Sequence, residues 1–428
     1  MSNGPLVPVA GNKAANKFNN PLIIIGALFF VFGFVTWISS VLIPYLQIAC
    51  ELNNFESYLV AFAFYISYFV MAVPSSWLLK ITGFKKGMSA GLLIVAIGSL
   101  IFIPAALTRT YSIFLLGLFV QGAGLAVLQT ASNPYVTILG PIKSAARRIS
   151  IMGICNGIAG VIAPVILGAV VLNDADGLTQ QLTRMDAAQK IIALNALAQK
   201  VIIPYIVITA ILIALAVAIY FSSLPEIDEE AANELVEEIK TTKTSIFQFP
   251  HLLIGVFTLF LYTGVEVIAG NTIISYGAYL GIPLSTAKFF TSFTLIGMLV
   301  GYVIGIICIP KYFSQQKALK ISSLLGIVFA IGAMTTNGVV SVLFVALLGL
   351  ANSLMWPSIW PLAIAHLGKF TKIGSSLLVM AISGAAVLPL IYGRLADKTN
   401  AQQAYWIVIP CYLVICYYSL HGYKVRSK

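Results

Sequence analysis

Glu266 stands where an acid is expensive, in the apolar run Leu261-Tyr262-Thr263-Gly264-Val265-Glu266-Val267-Ile268-Ala269-Gly270-Asn271. A charge at bilayer depth costs on the order of 3 kcal/mol even on lenient insertion scales, so an acid retained there points to a cation or proton that it takes up. On a helix, Tyr262, Thr263 and Gly270 fall on the same side as Glu266. Asn271 points elsewhere unless the chain unwinds at Gly270. Glu266 is thus the candidate cation group, with Tyr262, Thr263 and Asn271 as further oxygens.

Other polar residues recur inside apolar runs at helical spacing, and lipid offers them no hydrogen bond. Gly33, Trp37, Ser40 and Pro44 form one stripe, and an indole beside a hydroxyl suits the apolar face and OH groups of a sugar ring. Gly122, Ala126, Gln129 and Asn133 form a second stripe, with Gln121 about 80° round the helix. Gly153, Asn156, Gly160 and Ala163 form a third, whose small residues also suit close helix packing, so Asn156 reads equally as a ligand contact or as interhelical glue. Asn352, Trp356 and Trp360 follow one another turn by turn. His251, His366 and His421 sit at the ends of apolar runs, against a buried proton relay or metal site. No buried pair of carboxylates and no nucleophile with a base at a motif spacing is present, which argues against an enzyme.

These residues sit in a chain of 428 residues that is 59% hydrophobic and 9% charged, outside the range of soluble domains. Twelve runs are long enough to span a bilayer at roughly 20 residues each: 21–48, 57–79, 87–107, 112–139, 149–172, 201–223, 250–276, 287–310, 321–336, 340–365, 373–393 and 404–421. Glu266 is the one carboxylate within them. The net charge of +11 comes from short clusters between spans, such as Lys80, Lys85 and Lys86, or Lys143, Arg147 and Arg148, or Lys311, Lys317 and Lys320. With both termini on one side, about 18 of the basic residues face that side and about 7 the other, which makes it cytoplasmic by the positive-inside rule. The charge is topology and not a nucleic-acid surface. Cys50, Cys155, Cys308, Cys411 and Cys416 lack metal-ligand spacing and read as free thiols. The polar stretch 1–20 has no apolar core before a small-residue cleavage site, so it does not read as a signal peptide.

Between the sixth and seventh spans, Pro225 to Gln248 is charged, and Leu235 and Ile239 predict a surface helix there. It separates two sets of six spans that echo one another weakly: Gly83-Phe84-Lys85-Lys86 closes the second, and Tyr312-Phe313-Ser314-Gln315-Gln316-Lys317 closes the eighth. The sequence therefore predicts an all-α integral membrane protein of 12 transmembrane helices in two pseudo-symmetric six-helix bundles. Its expected units are a tail (1–20), a first bundle (21–223), a linker (224–249), a second bundle (250–421) and a closing tail (422–428).

Several blocks resemble the fucose, glucose and galactose symporter family of the major facilitator superfamily. They are Gln121-Gly122-Ala123-Gly124-Leu125 continuing through Gln129-Thr130-Ala131-Ser132-Asn133-Pro134-Tyr135, Leu42-Ile43-Pro44-Tyr45-Leu46, Tyr262-Thr263-Gly264-Val265-Glu266, and Leu354-Met355-Trp356-Pro357 with Gly374-Ser375-Ser376. The resemblance runs from about Asn20 to Asp397. It implies alternating access, a monosaccharide carried uphill with a cation, and sugar contacts concentrated at Ser39, Ser40, Gln129 and Asn156. The sequence departs from the fucose-permease pattern where that pattern has acids: Ser39-Ser40 replaces Asn-Asp, Gln129 replaces Glu, and Gly153 replaces the Gln one turn before Asn156. Fucose itself and that permease's proton route are therefore not carried over.

The expectation is a secondary transporter importing a hexose such as glucose, galactose or mannose, with Glu266 as coupling carboxylate and possible Na+ ligand. Na+ is favoured over H+, since the proton-coupling acids are missing. The sugar-contact set is Trp37, Ser39, Ser40, Gln121, Gln129, Asn133, Asn156, Asn352 and Trp356. No cofactor, no nucleic acid and a monomer in a bacterial inner membrane, both termini cytoplasmic, complete it. An uncoupled facilitator and a transporter-like sugar sensor are the alternatives, the latter weakened by a linker of only about two dozen residues.

Overall fold

The computed structural model describes residues 21–138, 145–173, 175–222, 224, 244–309 and 311–425, and among them every regular element is a helix. The tail 1–20, the linker helix expected within 225–243, and the side chains of Asn133, Arg147 and Arg148 lie outside what is described. Among the described residues, eleven helical runs are long and apolar enough to cross a membrane. One of them, Asn54–Thr108, has 55 residues, about 80 Å of helix against a hydrocarbon core of about 30 Å. It is two crossings that meet at Gly83, where φ is 74° and ψ 173°, a conformation open essentially to glycine alone. Twelve crossings result. The second and third join at one glycine, where the sequence suggests a loop between residues 79 and 87.

Local signals account for the ends of these helices. Asn53 accepts the Glu56 backbone N–H at 2.7 Å while Glu56 takes the Asn53 N–H at 2.9 Å, a reciprocal cap that starts the second span. Pro250, which needs no backbone partner in a first turn, opens the seventh span, Pro250–Asn271. That helix holds through Gly270 and Asn271 and breaks at Thr272, before a short helix Ile273–Tyr279. Phe69, Val73, Trp77 and Ile81, one turn apart, are all exposed and form the apolar stripe that a lipid-facing helix presents.

The first six and last six spans meet along two seams, the second span against the eleventh (Thr371–Met380 with Gly384–Lys398) and the fifth (Ala145–Val171) against the eighth (Phe290–Cys308). Because crossings alternate, the ends of spans one, five, seven and eleven all lie on the face opposite Pro21, where the first span starts. On that face each seam is fastened by a carboxylate. Asp397 accepts the backbone N–H groups of Asn54 at 3.2 Å and Phe55 at 2.9 Å and the Asn54 side-chain amide at 2.8 Å. Asp176 accepts the backbone N–H groups of Leu284 at 2.7 Å and Ser285 at 3.0 Å. Lys288 Nζ donates to Asn173 Oδ1 at 2.9 Å beside it.

The two latches are related by the pseudo-symmetry of the bundles, since each acid follows or ends the fifth helix of its own bundle and holds the start of the second helix of the other. Below them the seams stay closed: Tyr58 meets Tyr392 edge-on at 5.6 Å, and Ser292 Oγ donates to the Val161 carbonyl at 2.7 Å. Toward the other face, a Cβ at Gly153 would meet nothing within 4 Å. The two seams are thus fastened on the face where spans one, five, seven and eleven end.

Partial burial works against the Asp176 carboxylate, but the Ser285 and Leu284 N–H groups, the Ser285 hydroxyl and the Lys288 charge together hold its carboxyl below the ordinary 3.8. A lowered folded value means that its contribution is present above 3.8 and lost only as pH falls through the lowered value, so this latch does not titrate between about pH 5 and 8. Hydrogen exchange tests the fastening. Asp397→Ala should speed exchange of the peptide containing Asn54 and Phe55 several-fold while the peptide containing Leu284 and Ser285 changes less; unchanged exchange at Asn54 and Phe55 would contradict it.

Candidate binding site between the bundles

Glu266 lies three-quarters of the way along the seventh span, partly buried, and its Oε1 accepts the Tyr262 hydroxyl at 2.8 Å. The i, i+4 spacing read from the sequence makes that bond possible within one helix. Three further phenols stand within electrostatic reach of the carboxylate: Tyr302 on the eighth span, Tyr412 on the twelfth, and Tyr65 on the second, from the opposite bundle. A carboxylate among hydroxyls in a low-dielectric seam is well placed to hold a proton or a small cation, because each phenol can turn either its oxygen or its proton inward.

Thr263 bonds elsewhere. Its hydroxyl donates to the Phe260 carbonyl at 3.1 Å and the Ala381 carbonyl at 3.2 Å, tying the seventh span to the eleventh. Asn271 also stands apart from Glu266, but it reaches across the molecule: Nδ2 donates to Ser39 Oγ of the first span at 3.1 Å. Its Oδ1 is buried without a partner. Ser39 and Ser40 in turn donate to carbonyls of their own helix, Thr36 and Trp37, both at 2.8 Å. The Ser39–Asn271 pair therefore links the expected sugar group to the expected cation group through one hydrogen bond.

Trp37 is 5% exposed and fills the space between bundles. A Cβ at Gly160 or at Gly270 would fall on its indole, so the ring is clamped between two glycines of opposite bundles, with Leu295 and Met298 beside it. In this closed-face arrangement the indole serves as a plug. Trp356 remains partly open, 6.4 Å from the Tyr262 ring and stacked on Trp360 at 5.3 Å. Asn352 is fully buried, with Oδ1 accepting the Tyr412 hydroxyl at 2.9 Å.

In the first bundle Gln129 is partly open and donates to the Tyr68 hydroxyl at 3.1 Å. Gln121 turns instead toward the third span, where its Nε2 donates to Ser99 Oγ at 2.8 Å, and it is 1% exposed. Asn156 is partly open, and its backbone carbonyl presses on Gly33 of the first span so closely that a Cβ there would collide with it. The structure thus gathers Trp37, Ser39, Asn271, Glu266, Tyr262 and Trp356 along the seam, while Gln121, Thr263 and Asn352 serve contacts inside their own bundles. The sequence reading passed over Tyr65, Tyr68, Tyr302 and Tyr412. Tyr65 and Tyr68 sit three residues apart, but among 19 tyrosines that spacing alone does not single them out.

The chain matches the family model described as Major Facilitator Superfamily over residues 25–372. The chain belongs to the major facilitator superfamily. It is 34% identical over 402 residues to a glucose/galactose transporter of Brucella abortus biovar 1 (strain 9-941), covering 93% of this chain and 92% of that one. It is 29% identical to the L-fucose-proton symporter of Escherichia coli (strain K12), covering 92% and 91%. Among solved structures it resembles the superfamily transporter FucP in the outward conformation, with a TM-score of 0.70 and 27% identity over 95% of this chain and 99% of that one. This superfamily member is a multi-pass membrane transporter and not an enzyme, and its twelve helices follow the superfamily fold.

The Trp37 clamp makes a thermodynamic cycle available. Gly270→Ala should destabilise the purified protein by about 1–3 kcal/mol through overpacking, read as a lowered Tm in detergent. In a Trp37→Leu background the same change should cost less than half as much. Equal costs in both backgrounds would show that the indole does not set the limit at Gly270.

Proposed function

We propose that this chain imports a monosaccharide by cation symport, a hexose such as glucose, galactose or mannose, with Glu266 as the coupling carboxylate. The observation that carries the reading is the placement of Glu266 at the seam between bundles, bonded to Tyr262 and within reach of Tyr65 from the other side. The sugar is supported by near full-length similarity to a protein named glucose/galactose transporter and by indole, amide and hydroxyl groups along the same seam. The working unit is a monomer of two six-helix bundles, 21–223 and 250–421, joined by the linker 224–249, in a bacterial inner membrane with both termini cytoplasmic. On that orientation the latched face is the outer one.

The mechanism follows from the cost of burying charge. Empty and ionised, Glu266 opposes sealing of the seam; neutralised by a bound cation, it tolerates closure. The cation thereby favours the occluded state, and sugar contacts drawn from both bundles favour it further through differential affinity. A carrier loaded with only one of them is held back. Serine and glutamine at positions 40 and 129, where the fucose-permease pattern has acids, favour Na+ over H+. Thr263 and Asn352 are engaged within their own bundle, so a Na+ shell at Glu266 would draw on Tyr262, water and the sugar itself.

Uptake into proteoliposomes under imposed gradients tests this reading and separates the ions. The parent should accumulate sugar under an inward Na+ gradient, and Glu266→Gln should keep counterflow of labelled sugar while losing accumulation. Accumulation driven by a pH gradient alone would assign H+, counterflow without accumulation in the parent would assign an uncoupled facilitator, and binding without exchange would assign a sensor. A thermal-shift panel of glucose, galactose and mannose, with and without Na+, identifies the sugar through ligand-linked stabilisation.

A further inference from the structure

The second span contributes a polar group that makes none of the hydrogen bonds above. Tyr65 is 4% exposed, yet its hydroxyl is buried without a hydrogen-bond partner. Such a group forfeits its hydration and receives nothing in return, and native structures keep few of them without a ligand or water to meet them. The ring itself is held firmly. It stacks on Tyr68 at 6.3 Å with 26° between planes and meets Phe64 edge-on at 5.0 Å, and the carbonyl of Phe64 lies against Gly122 of the fourth span with no room for a Cβ.

Its neighbours belong to two sites. On one side Tyr68 receives the Gln129 amide at 3.1 Å, which leaves the Tyr68 proton free to be given to a third group. On the other side, Glu266 of the opposite bundle lies within electrostatic reach of Tyr65. Gln129, Tyr68, Tyr65 and Glu266 thus form a polar line across the seam, from the expected sugar amide of the first bundle to the expected coupling acid of the second. Tyr65 is the member of that line with nothing to bond.

We propose that the Tyr65 hydroxyl is a sugar-contact and specificity-determining group, bonding one ring hydroxyl of the bound monosaccharide between Gln129 and Glu266. The proposal rests on the sugar-transport reading and deepens it. It extends the sugar site to the second span, and it gives sugar occupancy a direct route to Glu266: a sugar hydroxyl held by Tyr65 shares the acid's surroundings and changes what a cation meets there. A phenol in this position also discriminates between epimers, because a site built to bond a hydroxyl leaves its own group unpaired when the hydroxyl is missing or inverted.

Tyr65→Phe removes the hydroxyl and keeps the ring stacked on Tyr68, so fold and packing are retained. With D-glucose and D-galactose as probes, the apparent KM for uptake should rise about tenfold in the variant, with little change in the maximal rate and an unchanged Tm of the sugar-free protein. A panel of monodeoxy analogues supplies the decisive readout. One analogue should bind the parent about tenfold more weakly than the full sugar, and lose no further affinity on Tyr65→Phe, since both changes delete the same bond. A variant with the parent's KM, or one that loses affinity equally for every analogue, would overturn the proposal. So would a variant whose sugar affinity is unchanged while its cation dependence shifts, which would assign the hydroxyl to Glu266 alone. If the parent itself binds neither sugar nor analogue, the transport reading falls first, and that outcome is visible without the variant.

Discussion

Lipid hydrocarbon accepts no hydrogen bond, and every other feature of this molecule follows from how its polar groups escape that constraint. Backbone groups escape it by being helical throughout the described spans. Serine and threonine side chains escape it by bonding carbonyls of their own helix, as Ser39, Ser40 and Thr272 do. Amides need partners on other helices, and so Gln121 ties the fourth span to the third while Asn352 is tied by Tyr412. Glu266 cannot be satisfied in these ways. One phenol meets one of its oxygens, and its charge still has to be offset each time the seam closes.

That asymmetry divides the labour between the two ends of the seam. On the latched face, closure costs little, because Asp176 and Asp397 find backbone N–H groups waiting on the other bundle. Both acids are paired with backbone dipoles of the opposite bundle. Deeper in, Trp37 lies between Gly160 and Gly270, and Asn271 bonds Ser39. Closing the latched end is therefore easy in itself, and in the proposed mechanism the cost that a ligand must offset is concentrated at Glu266. In the proposed symport, the difference between an inexpensive latch and an expensive centre would let a small cation decide the outcome.

Much of this was legible in the sequence, and the reasons for the rest are physical. Twelve spans and the isolation of Glu266 follow from hydropathy, since burial of an apolar run leaves a pattern that length alone reveals. Gly83 did not announce itself as the junction of two spans, because a glycine among many signals a turn only once its neighbours are placed. The Ser39–Asn271 bond joins residues 232 apart in sequence, and helical periodicity carries no information about which faces of distant helices meet. Asp176 and Asp397 read as ordinary loop acids until the pseudo-symmetry of the bundles puts each beside the start of a helix. Tyr65 and Tyr68 were hidden for the opposite reason: in a chain so rich in aromatic residues, packing is the default reading of any one of them.

The central claim is that cation and sugar communicate through the charge on Glu266. Titration calorimetry of sugar binding to the purified protein, at low and at saturating cation, measures that coupling directly, because the factor by which the cation changes sugar affinity is the coupling free energy itself. The account predicts that the cation tightens sugar binding in the parent, and that Glu266→Gln binds sugar with an affinity independent of the cation and close to that of the saturated parent. A cation dependence that persists undiminished in Glu266→Gln would contradict it.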